Sequence, residues 1–509
     1  MTHRSANDPL GLGARAPVPA SNGMATADIA AALHDAGLLV RVQGDAPERV
    51  TGITDDSRTV QPGALFLAVR GSDRDGHDYL ERAAQAGATL ALVEDPSRTS
   101  LPTLVVQDTR RAAAVAAAAF YSFPARSLWF VGVTGTNGKT TTVGMLRHLL
   151  DEPDARAASI GTLGVLVGSA GDPVDGGGGL TTPGPVELQR LLRVLAGRGV
   201  RTVAMEVSSH ALHQKRVEGV LFDAGIFTNL SRDHLDYHGT MEAYRDAKAE
   251  LLYLLGEHGV AVINADDPAW AGLPQVHQTV YFGLTGRASV RADDVRFTPR
   301  GSRWTLITAD ERHEVALPLI GDFNVANALA AAAAAWSLGL PASTIAQRLT
   351  SLPQVPGRLE LINDAPTVLR DYAHTPDALA RALAAVRPFT TGRLIVVFGC
   401  GGDRDRGKRP EMGHIAAQGA DLAILTSDNP RTETPAQILD DVEAGMPTRR
   451  HERIEDRRLA IARALEVAGE GDVILLAGKG HETYQIRGTT KYPFDEREIV
   501  RELLTTGAT

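Results

Sequence analysis

An α/β fold of three domains is predicted for this chain, and three observations predict it. Strand-like apolar runs alternate with helical patterns along most of its length. One such run feeds a glycine-rich turn that opens onto a helix, the strand–loop–helix form of a phosphate-binding loop. The length of 509 residues, with 43% hydrophobic and 22% charged side chains, is too much for one core and suits about three domains.

Composition also excludes several classes. A single cysteine, Cys400, rules out an intramolecular disulfide and any multi-cysteine zinc or iron–sulfur site. With 52 basic and 61 acidic side chains the net charge is −9, so nucleic acid and anionic membranes are not expected partners. The longest Ala-rich run, Ala328 to Trp336, is closed by Ser337 and Gly339, well short of the ~20 residues of a membrane span. Residues 1–24 are rich in Pro, Ala and Gly and lack an apolar signal region, so they read as a disordered tail, with Met24 an alternative start. The expectation is a soluble, cytoplasmic protein.

The first domain is placed at 25–126. Thr26 to Leu39 reads as a helix, and a strand-rich stretch begins at Val50-Thr51-Gly52-Ile53. Ala64 to Val69 is a buried-strand pattern before a turn-rich loop from Arg70 to Gly76. The second domain, 127–355, opens with the strand Leu128–Val133 and a helix from about Lys139. Strand signals recur at Val200–Met205, Ala224–Phe227 and Val260–Ile263, as in a parallel sheet with crossover helices, and Gly171 to Gly179 reads as an inserted flexible loop. The third domain, 356–509, carries strand patterns at Thr367–Tyr372, Arg393–Gly399, Leu422–Ser427 and Val473–Gly478, with Rossmann-like character.

The most informative segment is Gly132-Val133-Thr134-Gly135-Thr136-Asn137-Gly138-Lys139-Thr140-Thr141. Glycines let backbone N–H groups fold around phosphate oxygens, and the helix N-terminus faces the same charge. Lys139 is placed to reach the β/γ-phosphates and the Thr140 hydroxyl to bind Mg²⁺. Five residues rather than four separate Gly132 from Gly138, one more than the strict motif allows. ATP binding through Gly135, Thr136, Asn137, Gly138, Lys139, Thr140 and Thr141 follows, but no particular reaction does.

The loop is followed by Glu206-Val207-Ser208-Ser209-His210 at a strand end, by Thr228-Asn229-Leu230-Ser231-Arg232-Asp233-His234, and by Lys248 in a helical pattern. This order resembles the Mur ligase family, ATP-dependent amide-bond-forming enzymes of peptidoglycan synthesis, from about Thr51 to the C-terminus. By its place at a strand end, Glu206 can hold Mg²⁺ together with Thr140. His234 follows another apolar strand and is expected on the same sheet edge. Spacing alone makes Lys248 a surface lysine. The resemblance instead implies that it is carboxylated by CO₂, and that the carbamate and His234 serve the metal site, with two Mg²⁺ ions expected.

Further implications rest on the same resemblance. Asn324, within Gly321–Asn327, is expected near the adenine; Arg358, Asp371 and His374 are expected at the nucleotide, in a site closed between the second and third domains. The first domain is the expected UDP-binding domain, through Asp55, Ser57, Arg70, Gly71 and Ser72; Asp55 stands at a position not acidic in the family, so its backbone is the expected contact. Thr181, Thr182, Ser208, Gln214 and Arg216 match contacts to the sugar–peptide. Asp428-Asn429-Pro430-Arg431 matches the signature for meso-diaminopimelate rather than L-lysine. Diaminopimelate has a carboxylate at its distal carbon, which a guanidinium binds in a bidentate pair. Arg431 and Arg404 are the expected carboxylate readers. Asp428 and Glu482 offer charge for the distal ammonium, and Gly478 lies in the same loop cluster.

The expected catalytic set is Lys139, Glu206, His234 and Lys248. The expected reaction, in a monomer, activates the D-glutamyl carboxylate of a UDP-muramoyl dipeptide as an acyl phosphate and joins it to diaminopimelate. Competing readings are an L-lysine-adding muramoyl ligase, a folate polyglutamylating ligase, a P-loop motor ATPase and a nucleotide-binding scaffold. Cys400 reads as a small loop residue, not a thiol catalyst.

Overall fold

The structure, a computed structural model, describes residues 23–71, 74–177, 179–276, 278–286, 288–298, 300–309, 311–446 and 451–506. Two compact units emerge. One takes the chain up to Arg291 with Leu306–His313 and Asn327–Arg348; the other takes Ala292–Thr305, Glu314–Ala326 and the chain from Leu349 on.

The first unit is built on two large sheets. The N-terminal one has the order Leu39–Gln43, Thr103–Val106, Leu90–Val93, Ala64–Leu67, Gly52–Thr54, parallel except at its first pair. Ala64–Leu67, Leu90–Val93 and Thr103–Val106 are buried at every position, as continuous apolar runs in a sheet covered on both faces must be. The helix expected over Thr26–Leu39 stops at Asp35. Gly37, at φ 68°, ends it in a Schellman turn, Leu38 N–H donating to Leu33 O (2.9 Å) and Gly37 N–H to His34 O (2.8 Å). That frees Leu39 to start the edge strand. The helix Thr109–Phe120, capped by the Asp108 carboxylate, packs against both Thr26–Asp35 and the central helix Pro185–Gly197.

In the central sheet the order is Asp172–Val174, Gly164–Val167, Arg156–Gly161, Val200–Glu206, Trp129–Thr134, Phe222–Phe227, Leu255–Asn264, Gln278–Gly283. The strands from Arg156–Gly161 to Gln278–Gly283 are parallel and the two outer ones antiparallel. The segment expected as a flexible Gly-rich loop therefore contributes a strand: Asp172–Val174 pairs with Val165–Val167, and Val174 is buried. Gly132 sits mid-sheet because a Cβ there would come within 2.8 Å of the Phe222 ring. Paired registers Glu206↔Val133 and Phe227↔Thr134 bring three strand ends to one edge, where parallel α/β sheets bind ligands. The strands Val290–Thr298, Gly301–Thr308 and Glu311–Leu317 follow, then the helix Asp322–Ser337, which contains the Ala-rich run. Among the described residues no helix is long and apolar enough to cross a membrane.

The second unit is built on a sheet of order Glu360–Asn363, Thr367–Asp371, Val473–Ala477, Leu394–Phe398, Leu422–Leu425, His451–Arg453, parallel except at the first pair. Leu369, Val396 and Leu475 face one core, Val368, Val397 and Leu476 the other, which is the doubly covered sheet that the uninterrupted apolar runs predict. The first of these cores also takes in Ile320 and Phe323. A hairpin, Tyr484–Arg487 with Thr490–Pro493, projects after the strand Val473–Ala477.

Candidate functional site

The phosphate loop leaves the strand Trp129–Thr134 and becomes the helix Lys139–Leu149. Gly135 (φ 141°) and Gly138 (φ 88°) take left-handed backbone, and each lies so close to a polar side chain, Thr228 and Asn327 respectively, that a Cβ would collide with it. A second loop braces the first. Thr136 N–H donates to Asn229 O (2.7 Å), Asn137 N–H to Asn229 Oδ1 (2.9 Å), and Thr228 Oγ1 and Asn229 Nδ2 donate to Asn137 O (2.7 and 3.0 Å). Thr140 and Thr141 open the helix and are buried. Lys139 arches back over the loop, Nζ donating to Gly135 O (2.9 Å) and Thr136 O (2.7 Å).

Lys248 is not the surface residue its spacing suggests. Only 1% exposed, it donates from Nζ to the same Gly135 O (2.7 Å) and lies 4.3 Å from the centre of the Tyr244 ring. Burial, and then the Lys139 ammonium, drive its pKa well below the ordinary lysine range, with Asp233 pulling weakly the other way. His234 begins the short helix Leu235–His238 in left-handed backbone (φ 53°), its Nε2 3.4 Å from Asp233 Oδ2. Burial lowers its pKa too, as do Lys139 and Lys248. Its ring lies 4.8 Å from that of His210 and 6.1 Å from that of Tyr244.

Glu206 ends its strand 1% exposed, accepting from Thr162 N–H (2.8 Å) and Thr162 Oγ1 (3.2 Å). Thr182 Oγ1 donates to Glu206 O (2.8 Å) and accepts from Ser208 N–H (3.1 Å). Arg216 donates to Thr182 O (3.2 Å) and through Nε and Nη2 to Gln214 Oε1 (3.0 and 2.6 Å); Gln214 Nε2 donates to Tyr237 Oη (3.1 Å). Thr181 Oγ1 is 3.5 Å from Thr162 Oγ1. Thr181, Thr182, Ser208, Gln214 and Arg216 are thus linked, through hydrogen bonds among themselves and to Thr162, into one network with Glu206.

The N-terminal sheet reaches this cluster. A Cβ on Gly184 would lie 3.8 Å from Asp55 Oδ2. Asp55 keeps solvent-accessible surface but has protein on most sides, and that desolvation pushes its carboxyl up while Arg216 pulls it down. Ser57 is buried beside it; Arg70 pairs with Glu94 (2.9 Å), and Gly71 N–H donates to Arg74 O (2.9 Å). Ser72 lies outside the described residues.

In the second unit, Asp371 ends its strand buried, accepting from Leu359 N–H and Ala373 N–H (both 2.8 Å); burial raises its pKa against the pull of Arg358. Arg358 stacks 4.9 Å from the Tyr372 ring centre, and exposed His374 Nδ1 is 2.8 Å from Tyr372 O. Asn324 is buried, with Nδ2 donating to Ile320 O (2.8 Å).

Three loops meet at the carboxyl ends of the strands Leu394–Phe398, Leu422–Leu425 and Val473–Ala477. Asp428 and Asn429 are buried, and Asn429 Nδ2 donates to Glu482 Oε2 (2.8 Å). Gly478 (φ 112°) lies against Asp428, where a Cβ would sit 2.5 Å from Oδ2. Pro430 leads into Arg431, which holds left-handed backbone (φ 52°) and donates from Nη1 to Gly402 O (2.8 Å). Gly401 lies between the two arginines: a Cβ there would be 2.9 Å from Arg431 Nη1 and 3.9 Å from Arg404 Cγ. Arg404 itself is exposed. Cys400 is buried against Met412 (3.5 Å), with its thiol pushed up to about 12 by burial, as suits an inert loop residue.

Sequence reasoning missed the residues that hold these groups in place. Lys479, 0% exposed, stands between Asn429, Asp428 and Glu482; Asn229 and Asn327 brace the phosphate loop, and Thr162 seats Glu206. The available signals were a lysine between two glycines and an Asn-rich stretch, and neither states what it touches.

Three family models match the chain in order: "Mur ligase family, catalytic domain" over residues 49–121, "Mur ligase middle domain" over 133–335 and "Mur ligase, glutamate ligase domain" over 357–480. The UDP-N-acetylmuramoyl-L-alanyl-D-glutamate–2,6-diaminopimelate ligase of Gloeobacter violaceus is 46% identical over 465 residues, covering 90% of this chain and 94% of that protein. The protein of the same name from Geobacillus thermodenitrificans is 44% identical over 473 residues, covering 90% and 95%. A solved structure of a ligase of that name matches with a TM-score of 0.64 at 34% identity, covering 92% of this chain and 98% of that one. The chain belongs to the Mur ligase family.

Proposed function

We propose that this chain is an ATP-dependent ligase that adds meso-2,6-diaminopimelate to UDP-N-acetylmuramoyl-L-alanyl-D-glutamate, in cytoplasmic peptidoglycan precursor synthesis, and that it works as a monomer. The observation that carries the reading is the set of converging loops in which Arg431 is tied to Gly402 and to the hairpin while Asp428, Asn429 and Glu482 gather at Lys479, a carboxylate reader and acceptors for an ammonium. The names of its relatives at 44–46% identity support the same reading.

A carboxylate has no leaving group, so the reaction must supply one. The D-glutamyl carboxylate attacks the γ-phosphorus of ATP, ADP leaves, and an acyl phosphate results. The α-amine of diaminopimelate attacks its carbonyl, the tetrahedral intermediate expels phosphate, and the amine proton goes to solvent. On this reading residues 25–126 hold the UDP end through Asp55, Ser57, Arg70, Gly71 and Ser72. Residues 127–355 hold ATP through the loop Gly135–Thr141, and Thr181, Thr182, Ser208, Gln214 and Arg216 orient the peptide carboxylate beside Glu206. Lys139 neutralises charge on the transferring phosphoryl group. Arg358, Asp371 and His374 are proposed nucleotide contacts and Asn324 an adenine contact, and residues 356–509 hold the amino acid through Asp428–Arg431, Arg404, Gly478 and Glu482.

Lys248 has the property that carbamate formation needs. Burial, and then the Lys139 ammonium, shift this amine toward its neutral form, whose lone pair can attack CO₂, forming an N–C bond, losing one proton and leaving an anion. Thr140, Glu206, His234 and the Lys248 carbamate are the residues that would hold Mg²⁺, a mostly hard-oxygen set. Among the described residues no three His, Cys, Asp or Glu side chains are gathered for a metal. When bound, Mg²⁺ supplies neutralisation of phosphate charge.

The test is phosphate release from ATP with the UDP-muramoyl dipeptide and either diaminopimelate or L-lysine. Release that requires diaminopimelate is expected. Equal rates with both amino acids would overturn the role of Arg431, and no amino-acid-dependent release would overturn the ligase reading. Arg431→Ala is expected to raise the diaminopimelate KM by about tenfold or more, ~1.4 kcal/mol, with the ATP KM unchanged.

A further inference from the structure

Lys479 is a wholly buried cation in the loop that follows the strand Val473–Ala477. It lies between Gly478 (φ 112°) and Gly480 (φ 53°), whose left-handed backbone turns the chain so that the lysine enters the protein. Its Nζ donates to Tyr484 O (2.8 Å), Asn429 Oδ1 (3.1 Å) and Glu482 Oε2 (3.4 Å), and lies 3.6 Å from Asp428 Oδ1. An ammonium has three donors, and all three are used. This cation is therefore not free for substrate; it is a fixed counter-ion shared by the two carboxylates expected to receive the substrate ammonium.

The hairpin locks that arrangement. Ile486 N–H donates to Asn429 Oδ1 (2.9 Å), Gln485 Nε2 to Asp428 O (2.7 Å), Arg431 N–H to Ile486 O (3.1 Å) and Gly488 N–H to Arg431 O (2.7 Å). Asn429 and Arg431 are thus pinned by the strand that accepts the Lys479 bond at Tyr484.

We propose that Lys479 is a positioning residue that sets amino-acid specificity by fixing the charge of the pocket; this rests on the diaminopimelate reading. Asp428 and Glu482 carry two negative charges, Lys479 and Arg431 two positive ones, so these four groups balance; Arg404, the other expected carboxylate reader, is exposed and its charge is screened by water. The distal end of diaminopimelate is also neutral, one ammonium and one carboxylate. The distal end of L-lysine is a lone cation. Two carboxylates without Lys479 would favour that cation. With Lys479 in place, one unit of negative charge remains for the substrate ammonium, and Arg431 keeps its charge for the carboxylate. Neutralisation of Asp428 and Glu482 inside the fold, where water screens little, makes the discrimination strong.

The test compares kcat/KM for diaminopimelate and for L-lysine in three variants of the full chain. Lys479→Met is expected to lower the diaminopimelate-to-lysine ratio by about tenfold or more, ~1.4 kcal/mol of differential binding. Glu482→Gln is expected to raise the ratio, because it leaves the pocket one charge more positive. The double variant restores the charge balance and is expected to return the ratio toward wild type. KM values for ATP and the UDP-linked substrate stay unchanged throughout. Equal losses with both amino acids in Lys479→Met, or a double variant no different from that single one, would overturn the proposal and leave Lys479 a hairpin anchor. Should Lys479→Met fail to fold, an unmoved ratio in Glu482→Gln overturns it alone. A wild-type chain without diaminopimelate-dependent phosphate release would instead overturn the functional reading beneath it.

Discussion

Two lysines show what sequence spacing conceals. Lys248 sits in a polar helix, Met241–Ala249, and by pattern belongs to its wet face; the fold instead turns it under the phosphate loop, where it shares the Gly135 carbonyl with Lys139. The loss of water, and then the second ammonium beside it, push its pKa well below the ordinary lysine range. Only the three-dimensional neighbours of a side chain decide its protonation, so neither this lysine nor buried Lys479 can be read from periodicity. Lys248→Ala is expected to lower amino-acid-dependent phosphate release by about 10²-fold or more, as loss of one preorganised charged group in a closed site does. Added acetate should restore part of the rate, since a small carboxylate fits the space the longer side chain leaves. A variant that keeps full activity, or that no carboxylate rescues, would speak against an anion at this position.

Single elements are held by ion pairs that cross between loops. Glu433 accepts Arg409 Nη2 (2.8 Å) and Nη1 (3.1 Å), Arg406 (3.0 Å) and Asp403 N–H (2.6 Å), while Thr432 Oγ1 donates to Asp403 Oδ1 (2.8 Å). Two loops that bear Arg404 and Arg431 are stitched together in this way. Hydrogen bonding from Arg409, then from the Asp403 amide, pulls the Glu433 carboxyl down to about 2 from its ordinary 4.5. The sign follows directly: the folded state releases this proton more readily than the unfolded chain, so the group stabilises the fold above pH 4.5 and loses that contribution as the pH falls toward 2. Thermal unfolding of Glu433→Gln should therefore depend less on pH between 4.5 and 2 than that of the parent chain. Parallel pH curves would mean that the carboxylate is not coupled to folding. Element positions themselves were largely legible: the strands expected at Val200–Met205, Thr367–Tyr372 and Val473–Gly478 match observed ones to within a residue. The edge strand Asp172–Val174 and the hairpin after Glu482 escaped because short polar strands owe their form to a partner strand, not to their own pattern.

At the scale of the molecule, three large sheets are distributed over two compact units. The N-terminal sheet joins the central one through the Thr109–Phe120 and Pro185–Gly197 helices and the Arg111–Glu218 pair (2.9 Å). The second unit reaches back along the chain for Ile320 and Phe323, which pack on its sheet. Ile320→Ala should therefore weaken this unit by about 2–5 kcal/mol, the range for a buried large-to-small change. Native-state hydrogen exchange would show it as faster exchange at Val396 and Leu475, with Val131 and Val203 in the first unit unaffected. Equal acceleration in both units would mean that they unfold as one.

What the sequence determined by itself was local chemistry in local order. The α/β alternation, the glycine-rich phosphate loop, the strand-end Glu206, and the Asp428–Arg431 segment are all contiguous runs whose residue types state their backbone form or their charge. Tertiary structure alone decided which of those charges meet. It buried Lys248 beside Lys139, set Arg216 against Thr182 and Gln214, and closed Lys479 onto Asp428, Asn429 and Glu482. The physical reason is that burial and electrostatic partnership are properties of distances between residues far apart in the chain. A one-dimensional pattern carries the donors and acceptors, and the fold assigns their partners.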